Sequence, residues 1–471
     1  MANLVDTLVE RHHRLGRGEA PAVVDDAGAW SFAELSQAAA RAAGTLRARG
    51  VRRGDRVAVV VPDGRRSAQA LLGAIRLGAI AVPLDPGTAP ERLRAVLADC
   101  APAAVVSDDL LDGTPEPVAP AAATDLACLV YTSGTTGRPK GVAHTHGALG
   151  ATAPSFLRDL ACAGPGDRCH AAARTASALG FFIGLVRPLA AGATVVLSSC
   201  PPSARRALAA ADAHGVTVLA AVPTLWLQMA AVLERRPSEA ARLASVRLGI
   251  SSGDRLTPGA AARLVAAGGP ALVDGLGSSE CGDITLSSRP GSAGFARVTP
   301  GVDVRVADGA GGPLPDGAPG LMWVRTPAAA VGYWRRDDLT RRLRMGPWLR
   351  TEDVVVRRAG ALHHLGRADE LFKVDGLLVS PADIERALAE DPRVAEAAVI
   401  GTPLRGGLVR PAAFVVPAAG AGPCPRLARE LRRHVARRLA PALAPGRVVL
   451  TDALPRHASG KLDRARLLAA A

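Results

Sequence analysis

Apolar and polar positions along the chain follow two alternating periods, one of helices and one of buried strands. Residues 31–50, SFAELSQAAARAAGTLRARG, open with Ser31 and Glu34 in capping-box spacing and continue as a small-residue amphipathic helix that Gly50 ends. VRRGDRVAVVVP (51–62) then reads as a buried strand bounded by a turn, RRSAQALLGAIRLG (65–78) as a helix and AIAVPLDP (79–86) as the next strand. The rhythm returns at ATVVLSS (193–199) with a helix after it, at VTVLAAVP (216–223) and at SVRLGIS (245–251). Such alternation predicts βαβ units, mostly parallel sheet and an α/β fold. Residues 295–365 change character, with short strands and many turns. From about 366 a compact tail shows its own elements: AEAAVIG (395–401), PAAFVVP (411–417) and one helix, RLARELRRHVARRLA (426–440), with a solvated arginine face. A domain boundary is expected near 366–370.

At 471 residues the chain is too long for one ordinary core and predicts two or three domains. Its 48% hydrophobic and 21% charged residues are those of a globular protein, and its 50 glycines and 36 prolines follow no collagen-like period. The best apolar run, ALGFFIGLVRPLAAGATVVL, is cut by Arg187 and Pro188, so no membrane span is expected. The start, MANLVDTLVERHHR, lacks the apolar core of a signal peptide. Seven cysteines form no CxxC pair, which argues against a disulfide framework or structural zinc and for free thiols in a reducing cytoplasm. The net charge of +14 raises nucleic acid as a partner. Arginines spread along the whole length and aromatics at only 3% disfavour it, and small polyanionic ligands explain the charge as well.

Of 57 lysines and arginines only three are lysine: Lys140, Lys373 and Lys461. A lysine that persists in so arginine-rich a chain points to a task for a compact charge on a slim stem. Lys140 falls in the sharpest local signal, LVYTSGTTGRPKGVAHTHG (129–147), where an apolar strand runs into glycines, hydroxyls and one lysine. Hydroxyls and glycine-exposed backbone N–H groups make an anion cradle. The glycines at 134, 137 and 141 do not follow GxxxxGK[ST].

The string T-S-G-T-T-G-R-P-K-G resembles the signature loop of the adenylate-forming superfamily of acyl- and aryl-CoA synthetases, nonribosomal adenylation domains and luciferases, and further motifs follow in the family's order. LGISSGDRL (248–256) is similar to the strand-turn beside the adenine, DGLGSSECGDITLSS (274–288) to the segment whose glutamate, here Glu280, holds magnesium. GPWLRTED (346–353) resembles the segment whose aspartate, Asp353, grips the ribose. LGRADELFKVDGLLVSPADIE (365–385) resembles the hinge, with Arg367 on the nucleotide and Asp369 as pivot; PRHASGKLDRARLL (455–468) resembles the segment bearing the catalytic lysine, Lys461. The resemblance implies a large N-terminal domain, 1–367, of βαβ subdomains plus a small β-barrel-like subdomain, and a small mobile α+β C-terminal domain, 368–471. It implies catalytic roles for Lys461, Glu280 and Thr132. Nucleotide contacts follow at Ser133, Gly134, Thr135, Thr136, Gly137, Lys140, Gly253, Asp274, Gly275, Ser279, Asp353 and Arg367. ATP, Mg²⁺ on Glu280 and coenzyme A are the implied cofactors, with Lys373 and Gly376 along the thiol channel. Bringing a carboxylate onto an α-phosphate joins two anions, so the cationic groups suit the chemistry.

DGLGSSE and the layout ARTASALGFFIGLVRPLAAGAT (173–194) most resemble benzoate-type aryl-CoA ligases, which implies an aromatic or aryl-like acid in a pocket of Ala178, Leu179, Gly180, Gly277 and Asp283. Ala176 and Ser177 stand where such ligases place bulky aromatics, so a pocket that is more open, or shaped for a bulkier substrate, is expected. Asp283 stands where many relatives carry a neutral or imidazole group; it would pair with an amino substituent or be solvated. Between Asp108 and Leu129 the chain is shortened, which predicts a trimmed subdomain. It ends ten residues after Lys461, so no attached carrier-protein segment is expected. The alternatives to coenzyme A are a separate carrier protein as acceptor, or activation of another oxyanion such as nitrite for attack by an amine. A nucleotide-binding pseudoenzyme is disfavoured by the presence of Lys461 and Glu280.

Overall fold

The computed structural model describes residues 3–107, 111–132, 139–150, 155–254, 256, 258–290, 294–374, 377–403, 409–418, 420–422, 424–456 and 462–470. The predicted first helix spans Phe32–Ala48, and its capping box is complete: Ser31 Oγ accepts from Glu34 N at 3.2 Å while Glu34 Oε2 accepts from Ser31 N at 2.8 Å. Its Phe32, Leu35 and Leu46 pack with Leu71, Leu72 and Ile75 of the helix Arg65–Arg76 in one core. The strand predicted over 51–62 shrinks to Arg56–Val59, because Asp55 Oδ2 accepts from Arg52 N at 2.8 Å and closes a turn ahead of it.

Two sheets dominate. One has six strands in the order Gly332–Tyr333, Lys140–Thr145, Leu126–Thr132, Ile80–Pro83, Arg56–Val59, Ala104–Val106; the last four are mutually parallel and the first two antiparallel to their neighbours. The other has nine, in the order Arg297–Val298, Asp283–Ser287, Leu272–Ser278, Leu248–Ser252, Val218–Ala221, Arg168–Ala171, Thr194–Val196, Pro21–Asp25, Gly28–Ser31. Its middle six strands are parallel, as the βαβ pattern predicts, with antiparallel strands at both edges. Trp226, fully buried on the helix Pro223–Arg235, donates from Nε1 to Ile250 O at 3.1 Å and ties that helix to the sheet. A five-stranded antiparallel sheet built on Asp303–Ala307, Gly320–Arg325, Trp348–Arg358, Arg344–Met345 and Ala361–Arg367 accounts for the turn-rich stretch.

The tail forms a smaller body with its own core. The strands Val394–Pro403, Val409–Pro417 and Arg447–Leu450 make one sheet, covered by the helices Pro381–Ala389 and Pro425–Arg438. The second helix buries Leu427, Leu431 and Val435, four residues apart, and leaves Arg429, Arg432, Arg433 and Arg437 exposed. The whole is therefore a mixed α/β protein with a large N-terminal part and a small C-terminal one. Among the described residues no helix is long and apolar enough to cross a membrane.

Candidate active site

The strands Leu126–Thr132 and Lys140–Thr145 pair antiparallel with Thr132 opposite Lys140, so the ends of the signature loop face each other. Ser133, Gly134, Thr135, Thr136 and Gly137 lie outside the described residues, as do Gly376 and Lys461. Thr132 and Lys140 open onto a cleft of about 1570 Å³. Its wall also contains Gly253, Asp274, Gly275, Gly277, Ser279, Glu280, Asp353, Arg367 and Asp369. Gly253, Ser279 and Glu280 follow the C-terminal ends of parallel strands, where open α/β sheets hold their ligands.

Glu280 is gripped from several sides. Its backbone carbonyl accepts from Ala330 N at 2.8 Å, and its Oε1 accepts from the Tyr333 hydroxyl at 2.7 Å. Burial first, then the Glu280 carboxylate, raise the Tyr333 pKa, so the phenol stays a donor. His144 Nε2, 2.8 Å from Ser279 O, braces the preceding residue. The turn after Glu280 needs glycine: Gly282 has φ +68°, and a Cβ there would lie 2.6 Å from Ala328 O.

Asp353 is buried, and His364 Nε2 stands 3.0 Å from its Oδ1 on the neighbouring strand. Arg367 pairs opposite Asp353 in the same ladder and lies 3.5 Å from Asp369. Burial opposes the Arg367 charge, but the field of Asp353, Asp369, Glu370 and Glu280 outweighs it and raises the pKa. The guanidinium is therefore a permanent cation in a cleft wall rich in carboxylates.

The C-terminal body reaches the same cleft. Arg456 and Leu462, flanking the segment that contains Lys461, bridge to each other, and Asp463 N donates to Pro455 O at 2.9 Å. Arg456 donates to Thr224 Oγ1 at 2.7 Å and to Glu396 Oε2 at 2.8 Å, joining the two parts of the chain. Leu462 and Arg464 line the cleft, and Arg464 is held by Glu385 at 3.0 Å and Glu370 at 3.4 Å.

Five expected residues stand apart from the cleft wall. Lys373 is exposed on the strand Phe372–Val374. Ala178, Leu179 and Gly180 begin a helix packed on the core, and Gly180 is tucked so closely that a Cβ would lie 2.0 Å from Arg174 O. Asp283 requires a correction: it is neither solvated nor open to a substrate amine. Its Oδ2 lies 3.0 Å from Arg187 Nε, with the two side chains 4% and 1% exposed, and accepts from Phe156 N at 3.2 Å. Burial pushes the Asp283 carboxyl up, against the pull of Arg187. Arg187, which cut an apolar run in the sequence, needs this counter-charge inside the protein.

Sequence reasoning passed over Tyr333 and His364, which contact Glu280 and Asp353. A signal existed for the first: the chain has only two tyrosines, Tyr131 and Tyr333. No cluster of three or more His, Cys, Asp or Glu able to hold a metal ion occurs among the described residues. A single carboxylate such as Glu280 instead suits a hard cation bound partly by its substrate.

Comparison with known proteins agrees with this geometry. The family profile described as AMP-binding enzyme matches residues 10–116 and 107–334, and that of the AMP-binding enzyme C-terminal domain matches 383–461. The chain is 31% identical over 509 aligned positions to 3-hydroxybenzoate–CoA ligase of Aromatoleum sp. (strain CIB), covering 99% of this chain and 96% of that protein. To benzoate–CoA ligase of Thauera aromatica it is 32% identical over 508 positions, with the same coverage of 99% and 96%. The crystal structure of a benzoate CoA ligase from Burkholderia xenovorans LB400 superposes with a TM-score of 0.89 at 30% identity, covering 99% of both chains. The chain therefore belongs to the AMP-binding, adenylate-forming enzyme family.

Proposed function

We propose that this enzyme is an aryl acid–CoA ligase, with residues 1–367 as the nucleotide- and acid-binding core and 368–471 as the domain that presents Lys461. The observation that carries the reading is the meeting of Lys140, Glu280, Asp353 and Arg367 in one cleft. Relatives alike over nearly the full length act on benzoate and 3-hydroxybenzoate, which supports an aromatic acid.

Asp353, oriented by His364, accepts hydrogen bonds from the ribose hydroxyls, and Arg367 holds the nucleotide from the adjoining strand. Lys140 draws the terminal phosphates to the mouth of the signature loop. Glu280 would hold Mg²⁺ through the oxygen that Tyr333 does not occupy, and the ion would neutralise phosphate charge. Lys461 stands between the two anions as a carboxylate oxygen of the acid bonds to the α-phosphorus and pyrophosphate leaves. A turn about Asp369 then withdraws Lys461 and admits coenzyme A past Lys373 and Gly376. The thiol sulfur attacks the acyl carbon, AMP departs and the thiol proton passes to solvent.

The test is incubation with ATP, Mg²⁺, coenzyme A and a panel of benzoic, aminobenzoic, cinnamic and medium-chain acids, read by pyrophosphate release and product mass. An aryl-CoA product is expected. Pyrophosphate without a CoA adduct would overturn coenzyme A as acceptor, and an absence of acid-dependent pyrophosphate would overturn acid activation itself.

A further inference from the structure

Lys140 and Glu280 face the same cleft with opposite charges, yet among the described residues neither forms an ion pair within 4 Å. Left alone in a half-dry cleft, an ammonium and a carboxylate attract each other and tend to cancel. Tyr333 touches both. Its hydroxyl donates to Glu280 Oε1 at 2.7 Å, and the Lys140 ammonium lies over its ring, 5.8 Å from the centroid. The side chain is itself fixed by its backbone: Tyr333 pairs opposite Val142 on the strand that Lys140 begins, and Tyr333 N donates to Thr340 Oγ1 at 2.9 Å. Trp334 N donates to Gly141 O at 2.7 Å, extending the same ladder to the residue after Lys140.

We propose that Tyr333 is a positioning residue that holds Lys140 and Glu280 apart, so that the ammonium meets the phosphates and the carboxylate keeps one oxygen for their metal ion. The ring sets the lysine and the hydroxyl sets the glutamate, which makes one rigid side chain the spacer between the two contacts on a single triphosphate. The inference deepens the proposed function and rests on its use of ATP with Mg²⁺, but on neither the acid nor the acceptor.

The experiment is a Mn²⁺ titration of the full-length enzyme with a non-hydrolysable ATP analogue, followed by electron paramagnetic resonance, on wild type and variants. Tyr333→Phe keeps the ring and loses the hydroxyl. It should melt like wild type and bind the metal-free analogue equally well, yet bind Mn²⁺ in the ternary complex about 10-fold or more weakly, the scale of a lost hydrogen bond to a charged group. Tyr333→Leu should weaken the metal-free analogue as well, by about 2- to 5-fold. Glu280→Gln supplies a second line, since its amide can still accept from the hydroxyl: Mn²⁺ affinity should fall, and Tyr333→Phe added to it should cost little more. Wild-type Mn²⁺ affinity in Tyr333→Phe, equal loss of metal and metal-free analogue, or additive losses in the double variant would each overturn the positioning role alone. A wild-type enzyme that bound no metal–nucleotide would overturn the ATP reading, and this inference with it.

Discussion

Replacing Asp283 by asparagine separates two readings of the same carboxylate. The side chain is 4% exposed, sits 3.0 Å from Arg187 Nε and accepts from Phe156 N. Asparagine keeps the volume and can still accept from that amide. What it removes is the counter-charge to a guanidinium that is 1% exposed and otherwise donates to Gly282 O at 2.9 Å. Breaking a buried pair from one side costs about 3–5 kcal/mol, because the surviving charge stays desolvated. The apparent melting midpoint should therefore fall by roughly 5–15 °C. Arg187→Met together with Asp283→Asn should recover at least half of the loss, since the stranded charge is gone. Thermal unfolding followed by circular dichroism reads this directly, and the kcat/KM ratio for amino-substituted against unsubstituted benzoic acids reads the alternative. A midpoint within a degree or two of wild type, or a shift in that ratio beyond the general loss of activity, would refute the structural account and return Asp283 to the substrate.

Lys461→Ala should slow acid-dependent pyrophosphate release by about 10²–10³-fold while sparing thiolysis of supplied acyl-AMP, because in the proposed mechanism the lysine serves only the first half-reaction; equal loss in both steps would contradict that division. His364→Ala should raise the KM for ATP about tenfold with kcat little changed, as one hydrogen bond to Asp353, the carboxylate proposed to hold the ribose, is lost, and glutamine should restore part of it. Burial lowers His144 and His146 to about 4 from the ordinary 6.5, so the unfolded chain takes up protons first. Their contribution to stability is whole above pH 6.5, drains as pH falls towards 4, and amounts to at most about 3 kcal/mol each. The urea midpoint should fall across that window, less steeply in His144→Asn; a flat profile would show that neither imidazole is kept neutral.

The parts legible in the sequence are those with a local cause. The helix from Phe32 needs only Ser31, Glu34 and a repeat of small apolar residues, all within a few turns. The ends of the signature loop need only a strand before Thr132 and another after Lys140, and hairpin pairing does the rest. The motifs single out Glu280 and Asp353, which share one cleft wall, but not the residues that contact them. Tyr333 meets Glu280 from 53 positions away, and Arg187 meets Asp283 from 96, through sheet register and helix placement that hydrophobic periodicity does not encode. The strand at 51–62 was overdrawn for the opposite reason: Asp55 caps a turn locally, and a run of valines hid it.

Rarity within a biased composition has a physical content here. Tyr131 and Tyr333 both lie on the ribbon of three strands that also carries Thr132, Lys140 and His144. Tyr131 anchors the strand ahead of the loop, its hydroxyl 2.5 Å from Asp99 Oδ2, and Tyr333 stands under the lysine beyond the loop. Lys373, equally rare, is exposed and away from the cleft wall, so scarcity alone does not place a residue in this cleft. Lys140 differs from Lys373 in its neighbour, Glu280, on the same cleft wall. A guanidinium within reach of Glu280 offers a planar fork that matches a carboxylate bidentately and would tend to neutralise it. An ammonium is a point charge that a tyrosine ring can hold to one side, leaving both charges for the proposed triphosphate ligand. In a chain that otherwise writes arginine almost everywhere, lysine at position 140 suits a cleft shared with Glu280.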